Sequence, residues 1–98
     1  MKATFPNELI VENLIESILL LENKSEAKKF LRDLLTEGEI IEFAKRWEAA
    51  KMLSMGSVYT DIEERTGLSS TTIARISKWL TKGAGGYTMM LQKINKKS

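Results

Sequence analysis

The chain has 98 residues, with 15 Lys and Arg against 13 Asp and Glu for a net charge of +2, and it contains neither cysteine nor histidine. That composition removes disulfides, thiolate metal sites, the commonest metal ligand and the commonest general base, so an enzyme is the weakest of the function classes. One domain with a modest core is expected, marginal as a monomer and in need of a further source of burial. No N-terminal signal pattern is present, and the longest apolar stretch, Ile18 to Leu21, is far too short to span a bilayer, which points to a cytoplasmic protein with no membrane partner.

Taken in chain order, Pro6 suits the first turn of a long helix from about Asn7 to Glu22. Its polar stripe is narrow (Glu12, Asn13, Glu16, Ser17), and the apolar remainder from Leu9 to Leu21 is wider than one neighbour in a small domain covers. A membrane-surface helix is the alternative, but the stripe is acidic and would avoid anionic lipid. Burial against a second chain is the better account. Ser25 reads as the N-cap of a second helix carrying Ala27, Phe30, Leu31, Leu34 and Leu35 inward, with Lys28, Lys29, Arg32 and Asp33 outside. Thr36-Glu37-Gly38-Glu39 has a capping-box pattern and opens a third helix through Ile40, Phe43, Ala44, Trp47 and Leu53, which Gly56 ends.

Residues 58 to 80 carry the most informative pattern: a helix, a turn centred on Gly67, and a second helix capped by Ser69 or Ser70. Ile62 and Leu68 flank the turn, and Ile73, Ile76 and Leu80 recur at i, i+3 and i+7, so one face of the second helix packs inward. The opposite face holds Ser70, Thr71, Ala74, Arg75 and Lys78: small residues that admit close backbone approach, hydroxyls that donate and accept, and cations for phosphate or a guanine edge. This is how a helix-turn-helix reads double-stranded DNA.

Charge agrees, since the first 57 residues hold 8 Lys and Arg against 10 Asp and Glu, and residues 58–98 hold 7 against 3, with no acidic residue after Glu64. A polyanion is drawn to the half with the motif. The competing reading is a helical dimerisation or protein-interaction module in which the motif only packs, supported by Glu63 and Glu64 on the first motif helix. Gly83-Ala84-Gly85-Gly86 then breaks the chain without a preceding strand, so it is a link between helices and not a phosphate loop. Tyr87, Met90, Leu91 and Ile94 fall at helical spacing in a last amphipathic helix over about 86–95. The expectation is an all-α fold of six helices, with helices over 7–54 dimerising, the helix-turn-helix at 58–80 and the C-terminal helix behind it.

Leu35-Thr36, Arg46, Gly56, Gly67 and Thr72-Ile73-Ala74-Arg75 fall in the same order and nearly the same spacing as in the tryptophan repressor superfamily, which the chain resembles from roughly residue 8 to 92. Ala44-Lys45-Arg46-Trp47 and Lys82-Gly83-Ala84-Gly85-Gly86-Tyr87 with Met90-Leu91 look more like its YerC/YecD branch. The resemblance implies an intertwined all-α homodimer whose N-terminal helices cross into the partner, and sequence-specific transcriptional regulation, most simply repression. Carried over by position, Thr60, Ser70, Thr71, Thr72 and Ala74 meet DNA, and the capping Ser69 and the outward cations Arg75 and Lys78, read from the helix face itself, complete the expected DNA-binding set.

The resemblance also implies an effector site. A threonine and two arginines bind the amino acid in the tryptophan repressor, and Thr36, Arg46 and Arg75 stand at the matching places, a set suited to a small carboxylate. Against it, Arg75 also serves as an outward phosphate contact, and Arg46 has Glu42 one turn away. The residue after the second arginine is glycine in the repressor, leaving room for the indole. Here it is Ile76, and Trp47 adds bulk beside Arg46, so tryptophan is not the expected ligand. No cofactor is implied beyond a small-molecule corepressor of unknown identity.

Overall fold

A computed structural model describes residues 7–97 and contains six α-helices: α1 (Glu8–Leu19), α2 (Lys24–Leu34), α3 (Glu37–Ser54), α4 (Tyr59–Thr66), α5 (Ser70–Lys82) and α6 (Gly86–Lys97). No strand occurs among the described residues, so the fold is all-α as expected. Pro6 lies outside them. The chain divides into two compact units, Met1–Glu37 and Gly38–Ser98.

In the first unit, α1 stops at Leu19, three residues short of the expected end, and the next helix begins at Lys24. Its N-cap is Asn23, not Ser25: the Asn23 side chain accepts from the Glu26 amide at 2.9 Å, and Glu26 Oε1 accepts from the Glu22 amide, also at 2.9 Å. This reciprocal arrangement satisfies two amides that would otherwise lack partners, which Ser25 inside the first turn does not offer. No residue of α1 or α2 is buried, and Leu9, Leu19 and Leu20 are each more than three-quarters exposed.

The second unit holds the core. Ala49 and Ala50 of α3 meet Ile62 of α4, Leu68 of the turn, and Ile73 and Ile76 of α5, with Trp47, Met52, Leu53, Leu80 and Tyr87 packed around them. The three isoleucines are wholly buried, and each contributes about 1.5–3 kcal/mol by leaving water. Periodicity places Ile73, Ile76 and Leu80 correctly, and in α3 Trp47 and Leu53 pack against the core, but Phe43 is half-exposed and the fully buried positions are the two alanines, which the pattern does not single out. Their small side chains leave the space that Ile73 and Ile76 fill. At its C-terminus α3 closes with the Ser57 amide on the Met52 carbonyl and the Gly56 amide on Leu53, a Schellman arrangement that releases the chain towards α4.

The link after α5 depends on Gly83. Its backbone is extended (φ −85°, ψ −159°), and a Cβ there would lie 2.5 Å from the Trp79 carbonyl oxygen. Backbone cannot yield cheaply, so Gly83→Ala is expected to destabilise the unit by roughly 1–3 kcal/mol. Urea titration checks this, and Gly86→Ala, which meets nothing within 4 Å, is the control expected to be nearly neutral.

Candidate nucleic-acid interface

The turn between α4 and α5 is built from three residues acting together. Gly67 takes the left-handed conformation (φ 75°) and sends its amide to the Glu63 carbonyl at 2.8 Å. The buried Thr66 hydroxyl donates to the Ile62 carbonyl at 2.7 Å and accepts from the Leu68 amide at 3.1 Å. Leu68 is thereby held in the core and the chain is delivered to Ser69, which is the N-cap of α5. Ser69 Oγ accepts the Thr72 amide at 3.2 Å and donates to Thr72 Oγ1 at 3.1 Å. The first turn of α5 is therefore capped by hydroxyls and holds no acidic residue, leaving the positive end of the helix dipole uncancelled.

With Ile73 and Ile76 pinned inward, Ser70, Thr71, Ala74, Arg75 and Lys78 are all exposed along the outside of α5. None of the polar ones has a side-chain hydrogen bond or ion pair among the described residues. Thr60, near the start of α4, is likewise exposed. Ser69 and Thr72 stand differently: they are engaged with each other at the cap and Thr72 is half-buried. Lys82 is missing from the face expected from sequence, yet it is exposed in the last turn of α5, four residues after Lys78. Helical spacing alone is enough to find it.

Neighbouring charge is organised to leave that face free. Arg65 of α4 donates to Glu48 of α3 at 3.2 Å, and Lys51 pairs with the other Glu48 oxygen at 3.2 Å. Lys51, opposed by partial burial and assisted by Arg65, holds the Glu48 carboxyl below its usual value of 4.5. Because the folded-state pKa is lowered, the stabilisation is present above the unfolded value and is lost as pH falls through the folded one. Glu48→Gln is thus expected to melt slightly below the wild type at pH 7, by the small margin of an exposed ion pair, and the two curves should merge well below pH 4.5 in thermal scans.

The effector residues are distributed as follows. Thr36 ends the stretch between α2 and α3 in the first unit, while Arg46 and Arg75 lie on α3 and α5 of the second. Arg46 Nε is 3.5 Å from Glu42 Oε2, and its guanidinium sits 5.7 Å from the centre of the Phe43 ring, so its charge is already matched within its own helix. Arg75 belongs to the exposed face of α5. Ile76 is a core residue with no exposure, and Trp47 stacks on Tyr87 of α6, centroids 6.2 Å apart at 15°.

Among the described residues, no helix is long and apolar enough to cross a membrane, and no group of three or more Asp and Glu is placed to hold a metal ion. The family model for Trp repressor protein matches residues 10–95. YerC of Bacillus subtilis (strain 168) is 39% identical over 84 residues, covering 86% of this chain and 81% of YerC. A crystallised candidate Trp repressor from Staphylococcus aureus superposes with a TM-score of 0.84 at 38% identity, over 89% of this chain and 87% of the other. A TrpR-like protein from Eubacterium eligens ATCC 27750 gives 0.85 at 38% identity, over 89% and 90%. Sequence and fold thus agree over nearly the whole length, with the helix-turn-helix included, and the chain belongs to the Trp repressor family.

Proposed function

We propose that the protein is a sequence-specific DNA-binding transcriptional regulator, most simply a repressor, acting as a homodimer. The observation that carries this reading is the outer face of α5, where hydroxyls, a methyl and unpaired cations follow an N-terminus free of carboxylate. In this reading Ser70, Thr71 and Ala74 meet base edges, with Ala74 and the Thr71 methyl suited to a thymine methyl, while Arg75, Lys78 and Lys82 hold phosphates or a guanine edge. Thr60 approaches the backbone from α4, Thr72 turns its remaining hydroxyl capacity to a phosphate, and Ser69 acts through the cap.

The exposed leucines and isoleucines of α1 support the dimer, because a chain in water rarely leaves so wide an apolar face uncovered. Two recognition helices about one duplex turn apart, roughly 34 Å, then read two half-sites together. In this reading any effector differs from tryptophan, because Ile76 is packed into the core where an indole would need room, and Arg46 would have to exchange Glu42 for a ligand carboxylate.

Gel shifts against genomic fragments, the promoter of its own gene among them, test the reading. At least one fragment should bind about 10³-fold or more tighter than random duplex at physiological salt; uniform binding to all fragments contradicts specific regulation. Light scattering should return about twice the 11.1 kDa chain mass, and a monomer at micromolar concentration contradicts the dimer.

A further inference from the structure

Helix α2 carries a charge pattern that the helix-turn-helix does not account for. Of the 8 Lys and Arg in the first 57 residues, half lie on this one helix: Lys24, Lys28, Lys29 and Arg32. On a 3.6-residue repeat they fall within about 140° of the circumference, over a length of about 12 Å, with Ser25 among them and no carboxylate inside the arc. All of these side chains are exposed, and none has a side-chain hydrogen bond or ion pair among the described residues. Arg46 and Lys51 of α3, by contrast, are each paired, with Glu42 and Glu48.

The arrangement works against the helix that holds it. Lys24 and Lys28, Lys28 and Arg32, and Lys29 and Arg32 stand three or four residues apart, so each pair sets like charges one turn from each other, which destabilises a helix. Lys24 is also the first residue of α2, at the partly positive end of its dipole. The helix's own carboxylates do not relieve this: Glu26 accepts from the Glu22 amide at the cap, and Asp33 lies outside the arc and makes no ion pair. A row of phosphates relieves all of these repulsions together. At about 3.4 Å of duplex axis per phosphate of one strand, roughly three phosphates face about 12 Å of cations.

We propose that this face of α2 is a second polyanion-binding surface, which grips the sugar–phosphate backbone of duplex DNA without reading its sequence. The cations hold phosphate oxygens, and the Ser25 hydroxyl donates to one of them. An anionic membrane is the competing polyanion, and the layout of α2 disfavours it: laying the apolar side, Ala27, Phe30, Leu31 and Leu34, on lipid brings Glu26 and Asp33 to the headgroups along one flank. That duplex DNA is the polyanion rests on the proposed function; the attraction of the face for a chain of phosphates does not. Affinity and preference are then held by different helices, since α2 adds to every sequence alike and α5 distinguishes among them.

The test is fluorescence anisotropy of the full chain on a random-sequence duplex across a salt series. Lys24→Gln, Lys28→Gln, Lys29→Gln and Arg32→Gln combined, a change that keeps helix propensity, should weaken binding by at least about tenfold at low salt and cut the salt slope by about two to three units per protomer. The same four changes added to Arg75→Ala with Lys78→Ala should remove most of the salt-dependent binding which that chain retains. Circular dichroism and light scattering check fold and mass; if the combined variant does not fold, Lys28→Gln with Lys29→Gln serves, with about half the loss in slope. Unchanged affinity and slope overturn the surface, and a loss confined to a specific fragment overturns its indifference to sequence. Vesicles of phosphatidylcholine and phosphatidylglycerol form the second arm: binding to them that the four changes abolish, with duplex binding unaltered, assigns the face to lipid and overturns the proposal. If no genomic fragment outbinds random duplex but the four changes still abolish binding to random duplex, the specific regulator fails and this surface stands.

Discussion

Replacing Arg75 and Lys78 together by alanine lowers affinity for a specific DNA fragment by roughly one to two orders of magnitude and reduces the salt slope of binding by about one unit for each phosphate that is no longer neutralised. Both side chains are exposed on α5 and neither contributes to the core, so helicity and the dimer mass are expected to stay unchanged. The two positions are separable. If Lys78 meets only phosphate, Lys78→Ala weakens all sequences alike; if Arg75 grips a guanine edge, Arg75→Ala also relaxes preference at one base pair, worth about 1–3 kcal/mol of discrimination. Fluorescence anisotropy across a salt series measures both quantities. An unaltered DNA affinity in the double variant would instead support a helical interaction module in which the turn between α4 and α5 is only a packing unit.

Truncating Ile76 to alanine costs stability of about 2–5 kcal/mol, a large share of the roughly 5–15 kcal/mol expected for a domain of this size. The side chain is wholly buried among Ala49, Ala50, Ile62 and Ile73, and the alanines opposite have no atoms with which to close a void. The melting temperature should fall by at least about 10 °C, whereas Ile76→Val should lose only about 0.5–1.5 kcal/mol. A loss below about 1 kcal/mol for the alanine variant would mean the position tolerates a cavity. Calorimetry on the wild type completes the argument, because tryptophan binding at micromolar affinity would show that the indole finds room despite Ile76.

The contrast between Ile76 and Ala49 shows what is legible in the sequence and what is not. Large apolar residues at helical spacing announce an inward face, so α5 is readable from Ile73, Ile76 and Leu80, and the outer face follows by subtraction. Alanine carries almost no such signal. The closest packing of α3 against α5 is therefore silent in the sequence: its fully buried positions are Ala49 and Ala50, while the conspicuous Phe43 stands half-exposed. Capping is ambiguous for a related reason. Ser25 and Asn23 are both good caps by type, and only the geometry that lets Glu26 reach back to Glu22 decides between them. Arg46 is legible in both of its roles but not in which of them prevails, since a carboxylate one turn away and a ligand carboxylate satisfy the same guanidinium.

Helix α1 has 12 residues and none of them is buried, and isolated helices shorter than about 12–15 residues hardly persist in water. Its order must then be supplied by whatever covers Leu9, Ile10 and Leu19, and in the proposed assembly that is a second copy of the chain. Folding of the N-terminal third and association become one equilibrium governed by mass action. Below the dimer dissociation constant, operator occupancy then climbs with about the square of the protein level, so doubling synthesis changes the output roughly fourfold. In the proposed dimeric regulator, the exposed apolar face thus ties activity to the protein's own abundance and sets a threshold before any small molecule is bound.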